Sequence, residues 1–515
     1  MGWTLGLLGI ALWIYRPWQQ IPFDITDFSE LLPLLTGTHG SFGRLGAILG
    51  YYAHHGRSNI LTSAMIWIQW EAFGLNPPAW RLMRVLLFGL LIWTFVRTAA
   101  RFRSPLLAAG LGASLFVVGR PAAEGWIRLT GEPLATVFLL LALGVAATHR
   151  TTKNPARTTS YLAILSAAMV LSKETMLVCL PMIALVALTW NRERFQKPSL
   201  DGRAVRLSAV LGATAVLLAG TIFLVSEHSP PDAYARVYGP GALDFARFQY
   251  NTLSTAWPLG EPIQFFSAYG AVSVMLLVLG WGLALRRGPP RTVGIGILYL
   301  ALLCTAGAAV YLPWPRIEAF YAIPFMVGSG GLFALAVTGL MGRSWVRRTL
   351  TAGAFGLLLL PPALVARRDA SGRAALRLVN WDLAKTISTL PQVDSLFFAV
   401  PFLPDQSWQG RGPTLVRYAG AVVGSEVGGR PVSSLPISLD ETCASVGERL
   451  GNPPRQPEII VSYHNWCGAL PEPTRTISRA FRAFSIRPLG IRVGRVVADV
   501  LLRVPQNPQG TSSLH

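Results

Sequence analysis

Long apolar runs recur down this chain, and the short gaps between them alternate in the sign of their charge. The runs lie near residues 1–15, 80–97, 104–119, 132–148, 159–172, 175–190, 207–225, 267–285, 293–312, 320–340 and 350–366. A helix crosses the hydrocarbon core of a bilayer with about 20 apolar residues, sometimes ~17. Only helices and closed barrels satisfy their own backbone there. The runs therefore predict a polytopic α-helical membrane protein with about 11 transmembrane (TM) helices. Segment 58–73 (SNILTSAMIWIQWEAF) is apolar but interrupted, and reads as a half-buried helix. Composition agrees: 52% of the 515 residues are hydrophobic and 14% are charged, where a soluble domain carries about 25% charged residues.

The gaps give an orientation. One set is basic: Arg97, Arg101 and Arg103; Arg150, Lys153 and Arg157; Arg192, Arg194, Lys197, Arg203 and Arg206; Arg286, Arg287 and Arg291; Arg343, Arg347 and Arg348. The alternate gaps hold the acids: Asp24, Asp27 and Glu30; Glu124 and Glu132; Glu174; Glu227, Asp232, Asp244 and Glu261; Glu318. The positive-inside rule makes the basic gaps cytoplasmic. With an odd number of spans the N-terminus is cytoplasmic and the C-terminus extracytoplasmic, in a multi-pass protein of the inner (plasma) membrane. The same sorting accounts for the net charge of +20. No basic run is interleaved with stacking aromatics, so nucleic acid is not an expected partner. Met1 to Ile14 lacks a basic leader and a small-residue cleavage site, and reads as a first span rather than a removed signal peptide.

The composition changes near Arg367. Residues 376–400 read as an amphipathic helix followed by a strand, and PEIIVSY and GRVVADVLLRV as further strands separated by Gly/Pro-rich turns. The expected organisation is a membrane module over 1–366 with its first outer loop at 16–58. A small extracytoplasmic α+β domain follows over 367–505, then a disordered tail over 506–515. Cys179 and Cys304 lie in apolar runs and read as core residues. Cys443 and Cys467 fit a disulfide or two buried thiols equally well.

Few residues carry chemistry. In FDITDFSELL, Asp24, Asp27 and Glu30 share a face if the segment is helical. They suit a general base at the lipid boundary, or a capping pair with Asp27 as cap and Glu30 three positions on. Glu132, before Pro133 at the head of an apolar run, suits a catalytic acid or simple helix-start chemistry. Lys173 and Glu174 sit between two apolar runs, where charges are functional candidates by default. Arg316 and Tyr321, in PRIEAFYAIP, fit phosphate binding or an interfacial belt. His39, His54 and His55 lack ligand spacing, and no metal site is expected. No GxxxxGK[ST], HExxH or GxSxG motif occurs.

Taken in order, these pieces resemble the GT-C superfamily of membrane glycosyltransferases. They are an outer loop with an early acid, the run from Gly56 to Phe102, GEPLATVFLLLAL, SKETMLVCLP, and the segment holding Arg316, Tyr321 and Pro324. The protein O-mannosyltransferases and the lipid A aminoarabinose transferases are nearest in pattern. The resemblance covers roughly 1–366. It implies a hexosyltransferase-class enzyme that moves a sugar from a polyprenyl-phosphate donor to an extracytoplasmic lipid, glycan or protein acceptor. An outer-loop carboxylate would be the base: Asp27 first, Asp24 second, with Glu132 as the second-loop acid. Lys173 and Arg316 would hold phosphate beside Tyr321, with Glu30 and Glu174 lining the substrate. Many members carry two adjacent acids in the first loop; DITDFSE does not, which leaves the base open among Asp24, Asp27 and Glu30. No cofactor is implied, although paired outer-loop acids could bind a divalent ion. The competing readings are a lipid-linked glycan flippase or transporter, and a non-catalytic membrane scaffold.

Overall fold

The computed structural model describes residues 2–17, 31–54, 57–74, 76–127, 131–149, 152–190, 202–227, 249, 252–253, 256–260, 262–288, 290–310, 319–342, 344–389, 395–400, 437–442, 458–463, 475–487 and 490–503. Helices come first: α1 (Gly2–Tyr15), α2 (Leu31–Gly37), α3 (Ser41–His54), α4 (Ile60–Phe73), α5 (Pro77–Arg101), α6 (Leu106–Ala113), α7 (Leu115–Val118) and α8 (Arg120–Ile127). They continue with α9 (Glu132–Ala146), α10 (Pro155–Ser172), α11 (Leu180–Thr189), α12 (Gly202–Glu227), α13 (Ala268–Arg287), α14 (Pro290–Val310), α15 (Met326–Leu340) and α16 (Trp345–Thr389). Tight 3-10 turns precede three of them, at Glu174–Cys179, Pro262–Phe266 and Ala319–Phe325.

Among the described residues, five helices are long and apolar enough to cross a membrane: Pro77–Arg101, Val205–Leu224, Ala268–Arg287, Phe320–Leu340 and Trp345–Arg368. Those at Gly2–Tyr15, Leu106–Val118, Glu132–Ala146, Glu174–Thr189 and Val293–Gly307 are apolar but shorter. The chain is a multi-pass membrane protein. At three of the apolar runs the sequence overstates the length of the α-helix. The run at 104–119 breaks at Ser114 between α6 and α7, and those at 175–190 and 320–340 open as 3-10 turns. The interrupted segment 58–73 forms α4, with Thr62, Ser63, Ile66 and Gln69 buried and Ile68 exposed.

Two compact units divide the chain: Met1–Gln19, Leu45–Gly74 and Pro78–Arg367 in one, and Gln20–Arg44, Leu75–Pro77 and Arg368–His515 in the other. The second unit carries a five-stranded sheet of β1 (Ser395–Val400), β2 (Ile437–Thr442), β3 (Glu458–Tyr463), β4 (Arg475–Arg487) and β5 (Gly490–Arg503), in the order β2-β1-β3-β5-β4. β1 runs parallel to β2 and β3, and β5 runs antiparallel to β3 and β4. Cys443, Cys467 and the tail after Pro505 lie outside the described residues.

The core of the first unit is aromatic around α8. Trp126 stacks between Tyr15 (centroids 5.0 Å) and Phe88 (4.3 Å), and its indole donates to the Phe116 carbonyl at 2.9 Å. Tyr15 donates to the Val117 carbonyl, and Arg84 to the Gly125 carbonyl. A Cβ on Gly125 would stand 2.3 Å from Ile323, so α8 lies directly against the 3-10 turn at Ala319–Phe325. Lipid offers no hydrogen bonds, so these buried contacts hold the loop helix that leads to Glu132.

One interhelical bond repairs a backbone defect. Pro361 and Pro362 lie inside α16, and proline cannot donate to the carbonyl four residues back. Pro362 thus leaves the Leu358 carbonyl without its helical partner, and the Tyr269 hydroxyl of α13 donates to that carbonyl at 2.7 Å. Tyr269→Phe is expected to cost ~1 kcal/mol of stability in denaturant unfolding of the detergent-solubilised protein. A melt identical to the parent's would show that the bond is not used.

Candidate active site

The site is built where α9 begins and α10 ends. Glu132 opens α9 with Pro133 behind it. Proline is tolerated in a first helical turn because its missing N–H has no intrahelical partner there. The carboxylate also meets the positive end of the helix dipole. At the far end of the antiparallel neighbour, Lys173 leaves the helix with φ −157° and ψ 114°, an extended residue wedged between α10 and the 3-10 turn. Its N–H still bonds the Met169 carbonyl and its own carbonyl accepts from Met176. That single extended residue carries the lysine side chain out of the α10 helical path.

Lys173 Nζ lies 3.1 Å from Glu132 Oε1 and 3.9 Å from Glu174 Oε1. It also stands 4.9 Å from the centroid of the Tyr321 ring, a cation–π distance. Lys173 is 5% exposed and Glu132 is 1% exposed. The contact to Glu132 lies off the hydrogen-bonding direction, so Oε1 keeps an unfilled acceptor position, as does Glu174 Oε2. Burial pushes the Lys173 amine towards its neutral form, but Glu132 and Glu174 outweigh it and hold the amine well above the usual lysine range; Arg57 pulls the other way. The ammonium is therefore charged at neutral pH.

The floor beneath the cluster is tightly closed. Thr62 of α4 donates to the Ser172 carbonyl at 2.7 Å. A Cβ on Gly131 would meet Thr62 Oγ1 at 2.2 Å and the Ser172 carbonyl at 2.7 Å. Only glycine lets α4, the α9 start and the α10 end approach this closely.

The structure thus brings together Glu132, Lys173, Glu174 and Tyr321. Asp24, Asp27, Glu30 and Arg316 lie outside the described residues. Arg57, Thr62, Gly131 and Ser172 were not singled out in the sequence. Gly131, directly before Glu-Pro, carried the one readable hint: a glycine where a helix start must pass another backbone.

A buried ion pair is a weak device for stability, since well-packed apolar residues of the same volume do as well or better. A charged cluster closed off in a membrane protein instead points to function. Chemically, it offers an ammonium able to meet a phosphate, flanked by carboxylates able to accept a proton.

No family model matches the sequence, and no curated protein does. Solved structures do match. ArnT from Cupriavidus metallidurans bound to undecaprenyl phosphate is 14% identical, covering 97% of this chain and 98% of that one with a TM-score of 0.51. The same protein in the apo state gives a TM-score of 0.50 over the same shares. AglB, the oligosaccharyltransferase from Archaeoglobus fulgidus, in complex with an inhibitory peptide and a dolichol-phosphate, is 13% identical over 90% of this chain and 69% of that one, with a TM-score of 0.45. At this identity the likeness speaks to the fold alone, and over nearly the whole length of both chains the fold is that of ArnT.

Proposed function

We propose that this chain is a polyprenyl-phosphate-dependent glycosyltransferase of the inner (plasma) membrane, working on the face opposite its basic loops. The observation that carries the reading is the closed cluster of Lys173, Glu132, Glu174 and Tyr321. Chain order puts it at the end of α9 and α10 away from Arg101, Lys153 and Arg157. The positive-inside rule makes that end extracytoplasmic. A polyprenyl chain is insoluble in water, so its transferase must present its site at the membrane boundary.

In the proposed reaction an acceptor hydroxyl loses its proton to a carboxylate, and its oxygen attacks the anomeric carbon. The bond from that carbon to the phosphate oxygen breaks, and polyprenyl phosphate leaves with its negative charge. Lys173 steadies that charge in a water-poor setting, where such a cation is worth far more than in solution. With an ammonium in that place, the step as written calls for no metal ion. Asp27 is the first choice of base, then Asp24, with Glu132 as the acid that orients Lys173. The sugar is a hexose, the acceptor a lipid, glycan or protein, and 367–505 an extracytoplasmic α+β domain that follows a membrane module of about 11 spans.

The test is transfer of a radiolabelled hexose from a prenyl-phosphate donor in membranes carrying Asp24→Asn, Asp27→Asn, the double variant, and Glu132→Gln. Loss of the base is expected to slow transfer by roughly 10²–10⁴-fold. Full rates in every one of these variants would remove the proposed chemistry.

A further inference from the structure

Just before Thr62 in the chain, polar atoms are buried for which the described residues supply no hydrogen bond. Ser58 is 4% exposed and Asn59 5%. Among the described residues, Ser58 Oγ and Asn59 Oδ1 have no hydrogen-bond partner. Asn59 stands at the cap position of α4 but its side chain does not cap the helix. Asparagine at that position ordinarily turns its oxygen onto the first-turn amides, so here the oxygen is held in reserve. The two residues lie between Arg57, whose charge is felt at Lys173, and Thr62, which bonds the carbonyl of Ser172. Glu132 Oε1 and Glu174 Oε2, beside Lys173, also have unfilled acceptor positions.

A buried polar atom without a partner is costly, and native folds leave few of them. Two of the four named here belong to the carboxylates beside Lys173 and two to residues within four positions of Thr62, and all but the serine hydroxyl can only accept. Their missing partners must therefore be donors. A sugar ring supplies hydroxyl donors at several positions, and a lipid tail or a bare phosphate does not. We propose that Ser58 and Asn59 form the subsite that reads the sugar of the donor, while Lys173 takes its phosphate. This rests on the reading of the site given above.

The experiment measures binding by the full chain in detergent, with farnesyl phosphate and its glucosyl, mannosyl and galactosyl esters as probes. The parent protein is expected to bind at least one ester roughly tenfold more tightly than farnesyl phosphate, the effect of about two added hydrogen bonds. In Ser58→Ala/Asn59→Ala that ratio falls to about one while the farnesyl phosphate affinity stays unchanged. Lys173→Met should weaken all four probes in parallel. Because the Asn59 side chain caps nothing, the double variant should melt with the parent protein; the single Asn59→Ala variant carries the same test if it does not. A sugar preference that survives in these variants, or none in the parent, overturns the inference while leaving the phosphate reading standing. Failure of the parent to bind any of the four probes removes both.

Discussion

Lys173→Met should abolish sugar transfer, lowering kcat/KM by at least ~10²–10³, the usual effect of removing one preorganised group that meets developing negative charge. The substitution keeps an unbranched apolar stem of nearly the same length and deletes the ammonium, and with it the cation–π contact to the Tyr321 ring. It also leaves Glu132 buried without its counter-charge, and breaking a buried pair from one side costs ~3–5 kcal/mol. Loss of activity alone would therefore be ambiguous. Lys173→Met/Glu132→Gln separates the two effects. Counting Arg57, Lys173, Glu132 and Glu174, the group is neutral in the parent; it becomes net negative in the single variant and neutral again in the double. Stability should return in the double variant and transfer should not. A double variant that regains transfer would show that Lys173 serves only to neutralise Glu132.

What the sequence made legible follows from what kind of signal each feature is. The multi-pass helical character was readable because apolarity over a long run is a bulk property, insensitive to any single residue. The closeness of Glu132, Lys173, Glu174 and Tyr321 was readable for a related reason. Charges at the ends of apolar runs on the same side of a membrane have little room in which to avoid one another. Helix continuity was not readable. Whether a run stays α-helical or opens as a 3-10 turn is decided by local contacts, as at Lys173, where one extended residue separates two helices. The roles of Thr62 and Ser58–Asn59 were hidden too. A threonine or an asparagine in an interrupted apolar segment looks like an impurity until the neighbour it faces is known. The run that joins 350–366 to the amphipathic stretch beyond it is one helix through Arg367, Pro361 and Pro362. The hydroxyl that replaces the partner lost at Pro362 comes from Tyr269, far away in the chain, which no local reading of the run supplies.

Gly131→Ala should reduce transfer by about 100-fold although it touches no charged group and adds a single methyl. Gly131 has φ −81°, which any residue accepts, so the cost is one of space rather than of backbone strain. The new carbon would stand 2.2 Å from Thr62 Oγ1 and 2.7 Å from the Ser172 carbonyl oxygen. The threonine can rotate only by giving up its bond to that carbonyl. The carbonyl is backbone and cannot move without taking along the next residue, Lys173. The methyl therefore pries the ammonium from Glu132 and from the place a phosphate would occupy, and a shift of about 1 Å at a reacting centre costs ~10²-fold in rate. Overpacking should also lower stability by ~1–3 kcal/mol. Adding Thr62→Ala removes the nearer clash but not the backbone one, so it should recover part of the stability and little of the rate. Gly296→Ala is the control, since a methyl there meets nothing within 4 Å; its transfer rate and melting temperature should match or exceed the parent's. Full transfer by Gly131→Ala would mean that the spacing between Lys173 and Glu132 is irrelevant to the reaction, and the close packing of α4, α9 and α10 at this point would then serve the fold alone.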